Sequence, residues 1–262
     1  MGDDHLERVR AQFTRTAETY ARLIRATQEQ TLSSIVAMSR ATPSDRVLDV
    51  ACGPGFLSMA FAKHCADVVG FDATDAFIEL ARREAAQRGI RNVCFQHGDA
   101  EQLPFADGHF NIVSCRAAFH HFLRPARVLA EMMRVLETTG RIVVADLLGS
   151  EDPEQAKLHD HIEQLCDPTH VRALSISEFK RIFAAAGLRI TAQRQGSIDY
   201  DLEEWISHGA PDDGAHREIL SLMESCLADD RAGLRVRREG GRLRFSHHGA
   251  AFLLERPIET TP

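Results

Sequence analysis

Three aspartates carry the first chemical signal in this chain. Asp49 lies four residues before Gly53 in RVLDVACGPGFLS, Asp72 closes DVVGFD, and Asp99 follows Gly98 at the end of NVCFQHGD. Each acid stands where an apolar run stops and a loop begins. The first loop holds Gly53 and Gly55 in a GxG spacing, which lets backbone N–H groups approach a ligand closely. A carboxylate aimed at that loop repels a pyrophosphate and suits a ligand that carries positive charge. Asp72, nineteen residues after Gly53, is placed to accept hydrogen bonds from both hydroxyls of a ribose. Asp99 can accept from an adenine amino group while the Ala100 N–H meets a ring nitrogen. Phe77, one turn into the next helix, can cover the adenine face.

These features separate two kinds of nucleotide. The dinucleotide fingerprint GxGxxG/A is incomplete, because Ser58 stands at its third position. A nucleoside bearing an ammonium and a sulfonium fits Asp49 better, and S-adenosylmethionine, with S-adenosylhomocysteine as its product, is such a ligand. Cys52 and Ala73, in the same two loops, complete the candidate set. Each residue also has a plainer role open to it: Asp72 as a helix cap, Asp99 as a turn residue, Phe77 as core. Three such acids at the ends of three successive strands make coincidence improbable.

Histidines supply the second signal. His120 and His121 follow the fourth apolar run, and histidine titrates near neutrality, as a general base should. His170 and Arg172 offer cationic groups for a carboxylate or phenolate. His159 and Glu163, four residues apart, share one face of a helix. His159, His161, Asp167 and His170 match no zinc spacing, and no metal is expected. The plainer reading of all of these is capping, packing or surface pairing.

The elements that must position these groups follow from periodicity. Residues 4–39 read as helical, with Leu6, Val9, Phe13, Ala17 and Tyr20 near helical spacing. RVLDVA, DVVGFD, NVCFQHGD, FNIVSCR and GRIVVADLL read as strands. FLSMAFAKH, AFIELARREAAQR and VLAEMMRVL read as the helices between them, with Asp75 as cap of the second and Pro125 opening the third. Strand and helix in alternation imply βαβ units and a parallel sheet covered on both faces. Beyond residue 150 a polar helical stretch, the helix SISEFKRIFAAAGL and two late strands, RITAQRQGSIDY and AAFLLERP, follow. DLEEWISHGA and HREILSLMESCLAD are helices between those strands. The late strands are expected to close one sheet edge and the intervening helices to form a lid.

The runs VLDVACGPG, VVGFDAT, GDAEQLPFADGHFNIVSCRAAFHHF and RVLETTGRIVVAD resemble the successive motifs of class I S-adenosylmethionine-dependent methyltransferases. The subgroup that looks nearest contains the ubiquinone/menaquinone C-methyltransferases. The resemblance spans about residues 10–190. It implies a Rossmann-like, doubly wound α/β fold with a seven-stranded, mostly parallel sheet and an antiparallel last strand. It implies that Ala51, Gly53 and Gly55 meet the methionine part of the cofactor through backbone, with Arg116 at the same end. Asp72 would hold the ribose, and Asp99 and Ala100 the adenine. FTRTAETYARL is similar to the family's opening helix, which would bring Phe13 and Tyr20 over the cofactor. LETTG replaces the family's usual LKPGG. AAFHHFLRP replaces the Gly-Leu-Arg-Asn-like run of the quinone enzymes, a departure that bears on the acceptor and leaves the cofactor motifs intact. There is no Asn/Asp-Pro-Pro-Tyr run of amino-group methylation and no cysteine triad of arsenite methylation.

Composition narrows the classes. The chain has 262 residues, 44% hydrophobic, and a formal net charge of −7, which argues against nucleic acid or an anionic membrane as the main partner. RAGLRVRREGGRLR is the one basic stretch and reads as a solvated surface hairpin. Six cysteines form no CxxC, and Cys94 and Cys115, inside apolar runs, read as buried. No signal segment or membrane span is visible, so a cytoplasmic location is expected. The expected organisation is a single domain over 1–262, with a helical cap over 1–40 and lid and acceptor elements within 151–225. A homodimer is one assembly open to it. The function expected is methyl transfer to a small-molecule acceptor at oxygen or carbon. A cofactor-binding protein without turnover and an NAD-dependent oxidoreductase are the competing classes.

Overall fold

A strand buried on both faces must be apolar at nearly every position, and RVLDV meets that demand. The computed structural model describes residues 2–27 and 29–257. The extreme ends of the expected cap and domain therefore lie outside the described residues. Two helices come first, α1 (Gly2–Thr27) and α2 (Glu29–Ser39). The alternating section follows as β1 (Arg46–Val50), α3 (Phe56–Ala62), β2 (Asp67–Asp72), α4 (Asp75–Gln87), β3 (Val93–His97) and β4 (Phe110–Arg116). A 3-10 turn at Phe119–His121 leads to α5 (Pro125–Val135) and β5 (Leu136–Leu147). The rest is α6 (Pro153–Cys166), α7 (Ile176–Ala185), β6 (Arg189–Asp201), α8 (Leu202–Gly209), α9 (Asp213–Ser225), β7 (Arg237–Glu239) and β8 (Arg242–Glu255).

The sheet order is β3-β2-β1-β4-β5-β8-β6, with β7 paired to β8. The pairs among β1 to β5 are parallel, and β8 runs antiparallel to both β5 and β6. This is the Rossmann-like arrangement expected, with one strand more. The extra strand is the three-residue β7, which turns into β8 through Gly240 and Gly241 at φ 57° and 81°. That is the twist a two-residue hairpin requires. The hairpin is the basic stretch, and its arginines face acids: Arg237 meets Asp199 at 3.0 Å, Arg238 meets Glu224 at 2.5 Å and Arg242 meets Asp201 at 3.3 Å.

Two corrections concern the outer strands and caps. Cys94 is exposed, not buried, because β3 is the sheet's edge. Asp75 is the first residue of α4 rather than its cap, and Thr74 occupies the cap position.

β6 and β8 are long enough to outrun the sheet. β5 stops pairing at Leu147, opposite Gly249, while β6 and β8 stay paired as far as Asp201 and Arg244. The overhang supports a second apolar cluster, including Ile162, Cys166, Tyr200, Trp205, Ile219 and Phe245, contributed by α6, α8, α9 and the overhanging strands. α6, α8 and α9 therefore gather on the overhang at the carboxyl end of β5. α1 joins this layer to the sheet's loops. Gln12 Nε2 donates to Gly209 O at 3.1 Å, Arg15 Nη1 to Ala210 O at 2.7 Å and Arg10 Nε to Ala73 O at 3.0 Å.

Candidate active site

In a parallel sheet the loops beyond the strand carboxyl ends form the natural crevice. A cleft of about 1260 Å³, counted with its open mouth, lies there between α1 and the loops after β1, β2, β3 and β4. Tyr20, Asp49, Ala51, Cys52, Gly53, Asp72, Ala73, Phe77, Asp99, Ala100, Arg116 and His121 all line it. Gly55, His120 and His170 do not. Twelve of the candidates read from sequence therefore converge on one space.

Asp49 sits beneath the GxG loop, 1% exposed. Its Oδ2 accepts from Ser58 Oγ at 2.7 Å and its Oδ1 from Ser114 Oγ at 2.8 Å. Burial pushes its pKa up to about 6, against the opposing pull of the two hydroxyls and Arg116. Ser58 thus has a positive reason to occupy the position where a dinucleotide loop has glycine. Asp72 fixes both loops that flank it: Oδ2 accepts from Gly53 N and Oδ1 from Thr74 N, each at 2.8 Å. Burial raises its pKa too, with those N–H groups opposing. Each oxygen keeps a second lone pair, and Asp72 is not the helix cap of its plainer reading, since Thr74 holds that position. Asp99 Oδ1 accepts from Glu101 N at 2.8 Å, which is the turn role, with its other oxygen left for the cleft.

Backbone geometry explains the small residues. Ala51 and Ala117, both lining the cleft, hold φ of 54° and 50° at the ends of β1 and β4. Non-glycine residues occupy that region at a cost of about 1–2 kcal/mol, and such strain concentrates at functional sites. Gly55 serves the fold: a Cβ there would stand 2.6 Å from the Phe95 ring. Gly98 serves it likewise, with Phe71 2.3 Å from a built Cβ.

Aromatic rings form one wall. Phe13, Tyr20 and Phe77 lie with centroids 5.4–5.8 Å apart. Burial raises the Tyr20 pKa, opposed by the Arg116 charge, so the phenol stays neutral beside the cleft. The Cys52 thiol is pushed well up by burial, with the charges of Asp72 and Asp49 adding to it. It is held protonated and is no nucleophile.

The histidines divide. His121 reaches the cleft. With the tautomer assigned from its surroundings, its Nδ1–H donates to Thr169 O at 3.1 Å, which leaves Nε2 as an acceptor. Burial, then the charge of His120, lower its pKa to about 3. His120 lies behind it, with Nδ1 2.6 Å from Asp146 Oδ1. Burial works against protonation there, but Asp146, then Glu163 and Asp167, outweigh it and raise the pKa. The proton of the pair belongs to His120. Asp146 also accepts from Ala118 N at 3.0 Å and Phe119 N at 2.6 Å, so it sets the loop after β4. His170 is buried against Asp160 at 2.8 Å, and Arg172 pairs with Glu178. Neither converges on the cleft, so the two do not form the anion site expected of them.

The four residues weighed for a metal are likewise apart: His161 pairs with Glu218 at 3.0 Å, and Asp167 accepts from Thr169 N at 2.8 Å. His159 does share a face with Glu163, and both meet His247 of β8. Burial would raise the Glu163 carboxyl, but the facing His247 and His159 imidazoles hold it well below the ordinary range.

Sequence reading missed Ser58 and Ser114 as supports of Asp49, Asp146 behind His120, and His247. Asp146 had a usable signal, an acid at the carboxyl end of the strand beside β4. His247 had none, since only tertiary pairing brings β8 to α6.

Comparison with known proteins agrees with this geometry. A family profile described as "Methyltransferase domain" matches residues 41–187. An uncharacterized methyltransferase, YcgJ of Bacillus subtilis, is 32% identical over 211 residues, covering 80% of this chain and 83% of that protein. The crystal structure of YcgJ superposes with a TM-score of 0.82 at 28% identity, over 88% of this chain and all 100% of that one. The ubiquinone/menaquinone C-methyltransferase of Ectopseudomonas mendocina is 33% identical over 129 residues, 48% of this chain and 50% of that protein. A carboxylate at the end of each of the first three strands, a glycine turn above the first and a matching domain profile leave one conclusion: the chain belongs to the methyltransferase domain family, as an S-adenosylmethionine-dependent methyltransferase.

Proposed function

We propose that the cleft binds S-adenosylmethionine and that the chain methylates a small-molecule acceptor at oxygen or carbon. The observation that carries this reading is Asp49, a buried carboxylate whose burial raises its pKa to about 6 beneath the loop that lines the cleft. A buried charge in that state favours a cationic ligand. When bound, S-adenosylmethionine supplies a sulfonium methyl that an acceptor's electron pair displaces in line, leaving S-adenosylhomocysteine.

The residues divide the work. Asp49 holds negative charge under the loop of Ala51, Cys52 and Gly53. Asp72 accepts from the ribose hydroxyls through its remaining lone pairs, with Ala73 beside it. Asp99 and the Ala100 N–H meet the adenine edge, and Phe77 and Tyr20 cover its face. Arg116 balances the carboxylates at the methionine end. Gly55 acts through the turn, by opening α3. His121 lines the cleft as a neutral imidazole, with its Nε2 3.9 Å from Asp167 Oδ2. A pKa near 3 makes it a weak base, so its role is to accept a hydrogen bond and orient a hydroxyl. His120 and His170 act as positioning residues behind it. In a single domain over 1–262, α1, within the cap of 1–40, closes the cleft from one side, while the elements within 151–225 line none of it and brace α1 and the loop after β4 from behind, through Gly209 O on Gln12 and Val171 N on His120 O.

The test is methyl transfer from isotopically labelled S-adenosylmethionine into a small-molecule extract, read by mass spectrometry, with Asp72→Ala as control. A labelled product made only by the intact chain is expected, and its mass and fragmentation give the acceptor atom. Cofactor binding without any labelled product would support a binding protein instead.

A further inference from the structure

Outside the cleft, one group of side chains stands without the partners its burial demands. His159 and Glu163 lie one turn apart on α6, and His247 comes from β8, opposite Ile198 of β6. The three side chains are 4%, 10% and 12% exposed. Glu163 Oε1 is 3.5 Å from His159 Nε2 and 2.7 Å from His247 Nε2. All three atoms are nonetheless buried without an aligned hydrogen bond. Buried polar atoms are satisfied in the great majority of cases, and each exception calls for an explanation. Here three exceptions are adjacent.

Their arrangement has a common cause. The two imidazole nitrogens and the carboxylate oxygen all lie within 4.8 Å of one another, and they form the one such group of three metal-ligating side chains among the described residues. Metal–ligand bonds of about 2.0–2.1 Å put two ligand atoms about 2.9 Å apart at a right angle and about 3.4 Å apart at a tetrahedral one. The 2.7 and 3.5 Å separations are of that size. A ring nitrogen this close to a carboxylate, with its N–H not directed at it, is how ligands sit around a shared cation. The His247 ring is packed by Phe245, Trp205 and Tyr200 at centroid distances of 4.9, 5.7 and 5.3 Å. An apolar collar of that kind limits water and strengthens ligation.

We infer that His159, Glu163 and His247 form a binding site for one divalent transition cation. Two imidazoles and a carboxylate suit zinc, cobalt or ferrous iron rather than calcium or magnesium, which prefer all-oxygen ligands. Three protein ligands leave at least one position for water or for the oxygen of a small ligand. The site lies in the layer carried by the β6–β8 overhang and is separate from the cofactor cleft. Its occupancy does not depend on methyl transfer.

The test uses the full chain, free of any affinity tag and without cofactor or acceptor. The protein is dialysed against Zn2+ or Co2+, and bound metal is counted by mass spectrometry. The cobalt form is also read by visible absorption. Expected are about one metal per chain and a cobalt spectrum with nitrogen and oxygen ligation. Glu163→Gln, close in shape, and His247→Gln should each weaken binding at least tenfold, as loss of a ligand does. Circular dichroism verifies that each variant is folded, and the wild-type spectrum stands if one is not. No bound metal in the wild type overturns the inference. So does a thiolate-to-cobalt band, which would place the metal on a cysteine, or equal binding by the folded variants.

Discussion

In the proposed reading, Asp49 serves ligand binding at the expense of stability. Its folded pKa of about 6 lies above its ordinary 3.8. Its favourable contribution is therefore complete below about pH 4 and is lost as pH rises through about 6. At neutral pH the buried charge costs on the order of 3 kcal/mol. Asn in its place can still bond Ser58 and Ser114, whose hydroxyls donate or accept. Asp49→Asn should therefore raise the thermal midpoint of the unliganded protein at pH 7 while weakening S-adenosylmethionine binding. In the wild type, affinity should climb as pH rises through about 6, because a cationic ligand favours the ionised carboxylate. In the variant that rise should vanish. Calorimetric titration across about pH 5 to 7.5 measures both curves, and parallel curves would remove Asp49 from the site. Asp72→Ala tests the neighbouring contact. It should cost about 1–3 kcal/mol of cofactor affinity, the penalty of stranding hydroxyls, and unchanged affinity would contradict the ribose role.

At the scale of elements, Asp146 shows how one strand end disciplines its neighbour. From the end of β5 it holds the N–H groups of Ala118 and Phe119 and the ring of His120. Asp146→Ala strands a buried histidine and should lose about 3–5 kcal/mol of stability in urea denaturation. Asp146→Asn should lose less. By removing the charge that keeps the proton on His120, it should also let the His121 pKa climb from about 3. Proton resonance titration of the imidazoles reads that change, and a fixed His121 pKa would show that its neutrality comes from burial alone. The strands and their terminal acids were legible because apolar runs and loop acids are local features. Asp146 was half-legible, since its place in the sequence was visible but its partner His120, 26 residues earlier, was not. The edge exposure of Cys94 and the meeting of α6 with β8 were hidden. Both depend on which strands become neighbours, and periodicity is silent on that. The histidines after β4 were found as a group, but only packing decides that His121 turns into the cleft and His120 toward Asp146.

For the whole molecule, the order of the strands decides how it comes apart. β8, near the end of the chain, is inserted between β5 and β6, and its overhang carries the cluster built by α6, α8 and α9. The layer of α6, α8 and α9 and the sheet therefore share a strand, and neither is complete without the other. Such a molecule should unfold in one step. Trp205 is the only tryptophan and is buried at 2% exposure in that upper cluster, so its fluorescence reports the layer by itself. Far-ultraviolet circular dichroism reports the whole fold. The two urea transitions should coincide, and S-adenosylmethionine at a hundred times its dissociation constant should move both by about 2.7 kcal/mol. Loss of the Trp205 signal at lower urea than the dichroism would mean that the layer opens alone. That layer would then be a separate unit carried on the β6–β8 overhang. If the cofactor shifted only the later transition, its binding free energy would reside in the sheet loops and not in the layer of α6, α8 and α9.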